Sequence, residues 1–433
     1  MAQDTCLGGA SELADERALA ALRTATEAAC PCAGFDGAGG RRRFRRCARA
    51  VVETAVGDAT LRPECRARAQ ADVNGTACGT NRVVCGQLAA AGPDCRLAAP
   101  AGRNQCADHG SIDETACAAG ARCLDVVEWT AGTCHDPRRP GPYGAGVRVV
   151  PMVKDSVNMP GTDRLLDTVV WYPAAPDAAP IDTVYDAVLD APLNMAGGPY
   201  PVLMFSHGSC GYAAQSTFLM PVIASHGFVV IAPPHPGNTL AEFPTCGTPA
   251  AQGAAVQERP ADIAFALDQM LAANQDAGSP FFGALDPERI GMSGHSFGGL
   301  TTYVSIARDR RYKVAMPMAP AVLGTPVVDI PSLSMLGEID SRVNNAAVRA
   351  TYENASLPKF KVEIGDAGHY AFSDACFPSP DCQAPVTRTQ VEAHDLVVRW
   401  AVPFLLRYLA GDLSYEPLLA GPGPSGASVV SER

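Results

Sequence analysis

The chain runs to 433 residues, a length for which two domains is the ordinary expectation. Hydrophobic residues make up 47% and charged residues 18%, which excludes a disordered polypeptide. A net charge of -11 and a pI near 5.2 exclude broad binding to nucleic acid or an anionic membrane.

The N-terminal third is dominated by cysteine. Sixteen cysteines occur in all; twelve precede residue 135, and Cys210, Cys246, Cys376 and Cys382 follow it. Both counts are even, as disulfides made within each segment require, and oxidised cysteines imply a secreted or periplasmic protein. A zinc site is not expected, since no Cys-x-x-Cys pair exists and His109 and His135 lack finger spacing. Met1-Ala2-Gln3-Asp4 offers neither a basic start nor an apolar run, so a secretory leader is expected to have been removed already. No apolar run approaches the ~20 residues of a membrane span.

In chain order, Leu13 to Ala29 is rich in alanine, leucine and glutamate and predicts a helix. A second helix is predicted from Arg43 to Thr54, with the arginines at 41–46 on a solvated face. Beyond Cys65 the pattern suggests short loops stapled by bridges. The expected organisation is a disulfide-rich domain over 1–136, a linker over 137–146, a catalytic domain over 147–412 and a C-terminal tail over 413–433, mobile from Gly421 to Arg433. The Pro- and Gly-rich stretch after Arg138 places that linker.

After the linker, strands and helices alternate. Apolar strands are predicted at Thr168–Tyr172, Tyr200–Phe205, Phe228–Ile231, Arg289–Met292, Lys313–Met318, Ser332–Leu336 and Phe360–Ile364. Several are apolar throughout, as strands buried on both faces of a parallel sheet must be. Helices are predicted at Pro260–Ala273, Gly298–Ile306 and Val386–Leu409, the last kinked at Pro403. The fold class is therefore α/β, a doubly wound and mostly parallel sheet, preceded by a small disulfide-rich, partly helical domain.

Chemistry concentrates at Gly294-His295-Ser296-Phe297-Gly298, a Gly-x-Ser-x-Gly pattern between a predicted strand and a predicted helix. Only glycines two residues either side of a serine on so sharp a turn let the strand and helix backbones pass. The turn presents the Ser296 hydroxyl at the sheet edge, with the amide of Phe297 available to a developing oxyanion. A serine needs a base, and downstream only His369 and His394 are offered. His394 sits within the last predicted helix, whereas His369 follows a strand and a glycine-bearing turn, and it is preferred. Asp340, in the loop after Ser332–Leu336, is the expected acid, ahead of Glu338. Asp366 and Asp374 read as loop or capping residues.

The loop Phe205-Ser206-His207-Gly208-Ser209-Cys210-Gly211 lies where the second oxyanion donor belongs, and the amide of Ser209 is the candidate. His207 is expected to brace this loop. Cys210 is expected in a bridge with Cys246, and Cys376 with Cys382, since four cysteines remain and the latter two share a short loop. Tyr212 and His295 are expected to touch substrate. No metal and no cofactor are required.

At these residues the chain resembles the platelet-activating-factor acetylhydrolases and the bacterial predicted dienelactone hydrolases near them. The resemblance covers roughly Pro142 to Leu409. It rests on Gly141-Pro142-Tyr143, Phe205-Ser206-His207-Gly208, Ala224-Ser225-His226-Gly227-Phe228, Arg259-Pro260-Ala261-Asp262 opening a helix, and the serine motif. It implies an α/β-hydrolase fold and a metal-free serine esterase with Ser296 as nucleophile, Asp340 as acid and His369 as base. Gly337-Glu338-Ile339-Asp340 and Asp366-Ala367-Gly368-His369-Tyr370 are also similar to bacterial cutinases and polyester hydrolases. Where that group carries an aromatic, a methionine and a tryptophan around its site, this chain has Ser209, Phe297 and Ala321; Phe297 or Tyr212 could partly replace the missing aromatic surface. The resemblance implies an ester substrate, small, lipid-like or polymeric, and a monomer; a binding protein on an inactive hydrolase fold is the remaining reading.

Overall fold

The computed structural model describes residues 39–67, 83–89, 92–98, 141–175, 180–376, 388–412 and 427–432, with isolated positions besides. The chain divides into two compact units: Met1–Asp136 with Ser414–Leu418, and Pro137–Leu413 with Leu419–Arg433.

In the first unit, helix α1 spans Gly40–Gly57, longer at both ends than predicted. Its buried positions Gly40, Phe44, Ala48 and Val52 recur every four residues, so one narrow stripe meets the core while Arg42, Arg43, Arg45 and Arg46 stay in water. Phe44 and Ala48 pack with Cys30, whose disulfide to Cys47 ties α1 to the segment before it. Strands β1 (Val83–Ala89) and β2 (Gly92–Ala98) form an antiparallel hairpin. Most of the helix expected at Leu13–Ala29 lies outside the described residues.

The second unit is built on a ten-stranded sheet. Its strands are β3 (Gly144–Asp155), β4 (Asp163–Ala174), β5 (Val188–Leu189), β6 (Tyr200–Ser206), β7 (Val229–Ala232), β8 (Leu285–His295), β9 (Tyr312–Met318), β10 (Ser332–Gly337), β11 (Lys359–Ile364) and β12 (Ala427–Glu432), in the spatial order 12-11-10-9-8-6-7-4-3-5. From β7 through β6, β8, β9 and β10 to β11 every pairing is parallel; β4 and β12 join antiparallel. All seven residues of β6 and all four of β7 are buried, as expected for strands covered on both faces. The helices are α2 (Met220–Ser225), α3 (Pro249–Ala273), α4 (Phe297–Arg308), α5 (Asn345–Asn354) and α6 (Gln390–Tyr408). Ile263, Leu267 and Met270 of α3 and Tyr303 and Ile306 of α4 share one core with Val202, Met204, Ile231 and Met292 of the sheet. A reciprocal cap between Thr389 and Glu392 starts α6, and the helix continues through Pro403.

Three expectations need correction. Helix α3 begins at Pro249, not Pro260: Thr248 caps it by accepting from the Ala251 amide, and proline suits the first helical position. Pro260 is thus internal, tolerated in a helix held by its buried face. Residues 144–146, expected in the linker, open β3, and the amides of Gly141 and Tyr143 already donate to Ser225. The tail expected to be loose instead contributes β12, which pairs antiparallel with β11.

Candidate active site

The site lies where the parallel strands end, at the carboxyl edge of the sheet, the usual place for function in such folds. Ser296 follows β8 directly and precedes α4. Its backbone, at φ 58 and ψ -115, lies in the left-handed half of conformational space that non-glycine residues avoid. The bend is held by the Ser296 amide donating to Met318 (2.9 Å) and its carbonyl accepting from Ala321 (2.9 Å). The glycine requirement is steric. A Cβ on Gly294 would stand 2.3 Å from the Gly298 carbonyl oxygen, and one on Gly298 would stand 1.8 Å from that of Ser206.

Asp340 and His369 arrive from the loops after β10 and β11. The Asp340 carboxylate lies 2.8 Å from Nδ1 of His369, with both side chains almost wholly withdrawn from water. The other Asp340 oxygen accepts from the amides of Arg342 (2.8 Å) and Val343 (3.1 Å), which fixes the carboxylate's orientation. An imidazole anchored at Nδ1 keeps Nε2 for proton transfer. Glu338 is exposed and spends its carboxylate on the Asp366 amide (3.1 Å). His394 stacks on Phe218 at 3.6 Å between ring centroids, with its Nε2 3.2 Å from the Ser373 carbonyl. Asp374 receives the Thr217 and Phe218 amides, a loop brace as expected.

Ser296 and His369 line one cavity of about 570 Å³ together with Ser209, Tyr212, Leu240 and Phe243. The first amides of a helix have no intrahelical partner, so that of Phe297 is available, and among the described residues that of Ser209 finds no partner within the chain. Cys210 is bonded to Cys246, which removes it as a nucleophile and ties this loop to the segment carrying Leu240 and Phe243. Cys376 is also in a disulfide, while Cys382 lies outside the described residues.

His295, expected to touch substrate, also lines this cavity. Both its ring nitrogens are engaged, Nδ1 with the Gln215 side-chain amide (3.0 Å) and Nε2 with the His369 carbonyl (3.0 Å). Gln215 in turn accepts from the Gly208 amide (2.8 Å), so one chain of bonds joins the three loops. Burial holds His295, His207 and His235 well below the usual imidazole range, and all three are neutral at neutral pH.

From the sequence no role falls to Gln215 or Arg259, although Arg259-Pro260-Ala261-Asp262 is among the residues that carry the family resemblance. The Arg259 guanidinium is fully buried and donates to the carbonyls of His207 (2.5 Å) and Gly208 (2.9 Å) and to Asn238 (2.7 Å). The one available signal was a charged run, Glu258-Arg259-Pro260-Ala261-Asp262, inside an otherwise apolar helix.

A mostly parallel sheet, a strained serine between strand and helix, and an acid–imidazole pair from two later loops define an α/β-hydrolase fold. The PET hydrolase-like family matches residues 192–433, more than half of the chain, and the protein belongs to it. Cutinase est1 of Thermobifida alba is 29% identical over 230 residues, covering 52% of this chain and 66% of the cutinase. A platelet-activating factor acetylhydrolase from Cavia porcellus is 22% identical over 270 residues, covering 52% of this chain and 61% of the relative. The matches thus span just under two thirds of these relatives' length. A ferulic acid esterase from Streptomyces cinnamoneus shares the fold with a TM-score of 0.54 at 22% identity, over 67% of this chain and 97% of that one.

Proposed function

We propose that the protein is a secreted serine carboxylic-ester hydrolase working through an acyl-enzyme. The observation that carries this reading is the 2.8 Å Asp340–His369 bond beside a strained Ser296 in one cavity. Ser296 Oγ attacks the ester carbonyl as His369 Nε2 takes its proton, and Asp340 stabilises the imidazolium without being protonated. The amides of Ser209 and Phe297 receive the oxyanion. His369 then returns the proton to the departing alcohol, and water, activated by the same imidazole, releases the acid. Its relatives among cutinases support the ester as substrate. Secretion is supported by the disulfides Cys30–Cys47 and Cys210–Cys246; among the described residues, no helix is long and apolar enough to cross a membrane.

The test is turnover of a short-chain p-nitrophenyl ester by the whole chain. Ser296→Ala is expected to lower kcat by about 10³-fold or more, and a fluorophosphonate is expected to label Ser296. Undiminished turnover in the variant, or no adduct, would refute the proposal.

A polyester substrate is the second reading. Phe243 and Leu240 line the cavity while remaining 70% and 40% exposed, an apolar lip suited to a chain that extends beyond the cavity. Aromatic polyester film, assayed beside short-chain esters and short-chain phospholipids, separates the two by which substrate releases acid.

A further inference from the structure

Arg259 lies behind both proposed oxyanion donors. Its Nη2 is 2.9 Å from the Gly208 carbonyl oxygen, and that carbonyl belongs to the same peptide group as the Ser209 amide. Two more donors converge on this oxygen, His207 Nδ1 at 2.7 Å and the Gly211 amide at 3.1 Å. The second ring nitrogen of His207 accepts from the His235 amide (3.2 Å), which fixes Nδ1 as the protonated one. In a planar trans peptide C=O and N–H point opposite ways, so anchoring the oxygen inward aims the Ser209 N–H away from Arg259. On its other side the guanidinium carbon lies 4.8 Å from the centre of the Phe297 ring, the residue that supplies the second amide.

The charge around Arg259 is not balanced. Among the described residues, Lys154 and Arg164 pair with the two buried carboxylates Glu258 and Asp262, while Arg259 forms no ion pair. Asp262 is shared by Arg164 (2.6 Å), Lys154 (3.3 Å) and His235 (3.0 Å), while Glu258 takes Ser156 and the Val157 and Asn158 amides besides. His235 and His207 are neutral, so one cationic charge is left over, beneath the loop. Burial lowers the Arg259 pKa to about 9, opposed by the charge of Asp262, which leaves the guanidinium protonated at neutral pH.

We infer that Arg259 is a positioning residue for ester hydrolysis: it locks the Gly208–Ser209 peptide in the orientation that presents its N–H to the oxyanion and polarises that N–H through the shared amide bond. The inference rests on the reading of the site as a serine esterase. A cation donating to a carbonyl strengthens the hydrogen bond made by the N–H of the same peptide, and does so most in a low-dielectric interior. The effect grows as negative charge develops on the substrate oxygen, so it belongs to the transition state and should appear in kcat.

The experiment compares the full-length wild type with Arg259→Lys and Arg259→Met, using p-nitrophenyl butyrate. Active sites are counted with a fluorophosphonate, so that only folded enzyme enters kcat and a poorly folding variant still yields a value. Arg259→Met is expected to lose about 10²-fold in kcat, the range for loss of one oxyanion donor, with KM changed less than about threefold. Arg259→Lys keeps the charge but cannot span three acceptors, and about a tenfold loss is expected. Unchanged kcat per titrated site in both variants, or a rise in KM at constant kcat, would overturn the inference. A wild type that neither turns over esters nor takes the label would instead remove the esterase reading, and the role of Arg259 with it.

Discussion

At the scale of single residues, the cavity edge is set by what cannot be larger. Gly298 has the Ser206 carbonyl oxygen 1.8 Å and that of His207 2.8 Å from where a Cβ would stand. These are backbone atoms of β6 and the loop that follows it, so no side chain can swing aside. Gly298→Ala is expected to cost at least the upper end of the about 1–3 kcal/mol typical of overpacking, and to abolish ester turnover. Gly253→Ala is the matched control. It lies exposed within α3 with nothing within 4 Å of a Cβ, and is expected to stabilise by about 0.5–1 kcal/mol. Chemical denaturation of the two variants checks both signs, and equal stabilities would contradict the steric account. Ser296, Asp340 and His369 stood out in the sequence because each follows an apolar strand at a sheet edge, in a fixed chain order. Gln215 and Arg259 did not, because their partners are distant in the chain: Gln215 meets His295 across 80 positions, and Arg259 meets Gly208 across 51.

At the scale of elements, the Cys210–Cys246 bridge closes the loop that carries Asn238, Leu240 and Phe243 over the cavity. It joins residues 36 apart, and closing a loop of that size is worth about 2–4 kcal/mol. The double variant Cys210→Ser with Cys246→Ser is expected to melt several degrees lower. It is also expected to lose ester turnover, since the Cys210 amide donates to Asn238 and the Asn238 side chain to the Cys246 carbonyl (2.7 Å). Calorimetry and a p-nitrophenyl ester assay decide it; an unchanged melting temperature would show the bridge to be idle. The legible elements were those of the parallel core, where burial on both faces leaves uninterrupted apolar runs such as Tyr200–Ser206. Strand β3 escaped notice because it opens Gly144-Ala145-Gly146 and carries Arg148 and Lys154, with exposed and buried positions alternating only over 151–155. Strand β12 escaped because a Gly- and Pro-rich run precedes it and it forms only an edge. The start of α3 was misread because Pro260 is itself a common first helical residue, while the true cap, Thr248, stands well upstream.

At the scale of the whole molecule, the buried histidines make stability depend on pH. His207, His235 and His295 are held neutral by burial, with Arg259 beside His207 and Arg259, Arg164 and Lys154 beside His235 adding to the effect. In the unfolded chain each imidazole titrates near ~6.5. Below that pH the unfolded state binds protons that the folded state refuses, so stability falls as pH falls through about 6.5 and is flat above it. Each ring adds up to one proton to the slope of stability against pH. Glu258 adds a second, lower window. Burial opposes its ionisation, but hydrogen bonds from Ser156, Asn158 and Val157 prevail and hold it at about 2, so its contribution is lost only below the ordinary carboxylate range. Unfolding free energies from guanidinium titrations at pH 8, 7, 6 and 5 are expected to show a plateau and then a steep decline below 6.5. In His295→Gln the decline should be shallower by about one proton, since one of the three rings no longer titrates in the unfolded chain. A free energy constant from pH 7 to 5 would mean that these imidazoles are not held neutral inside the folded protein.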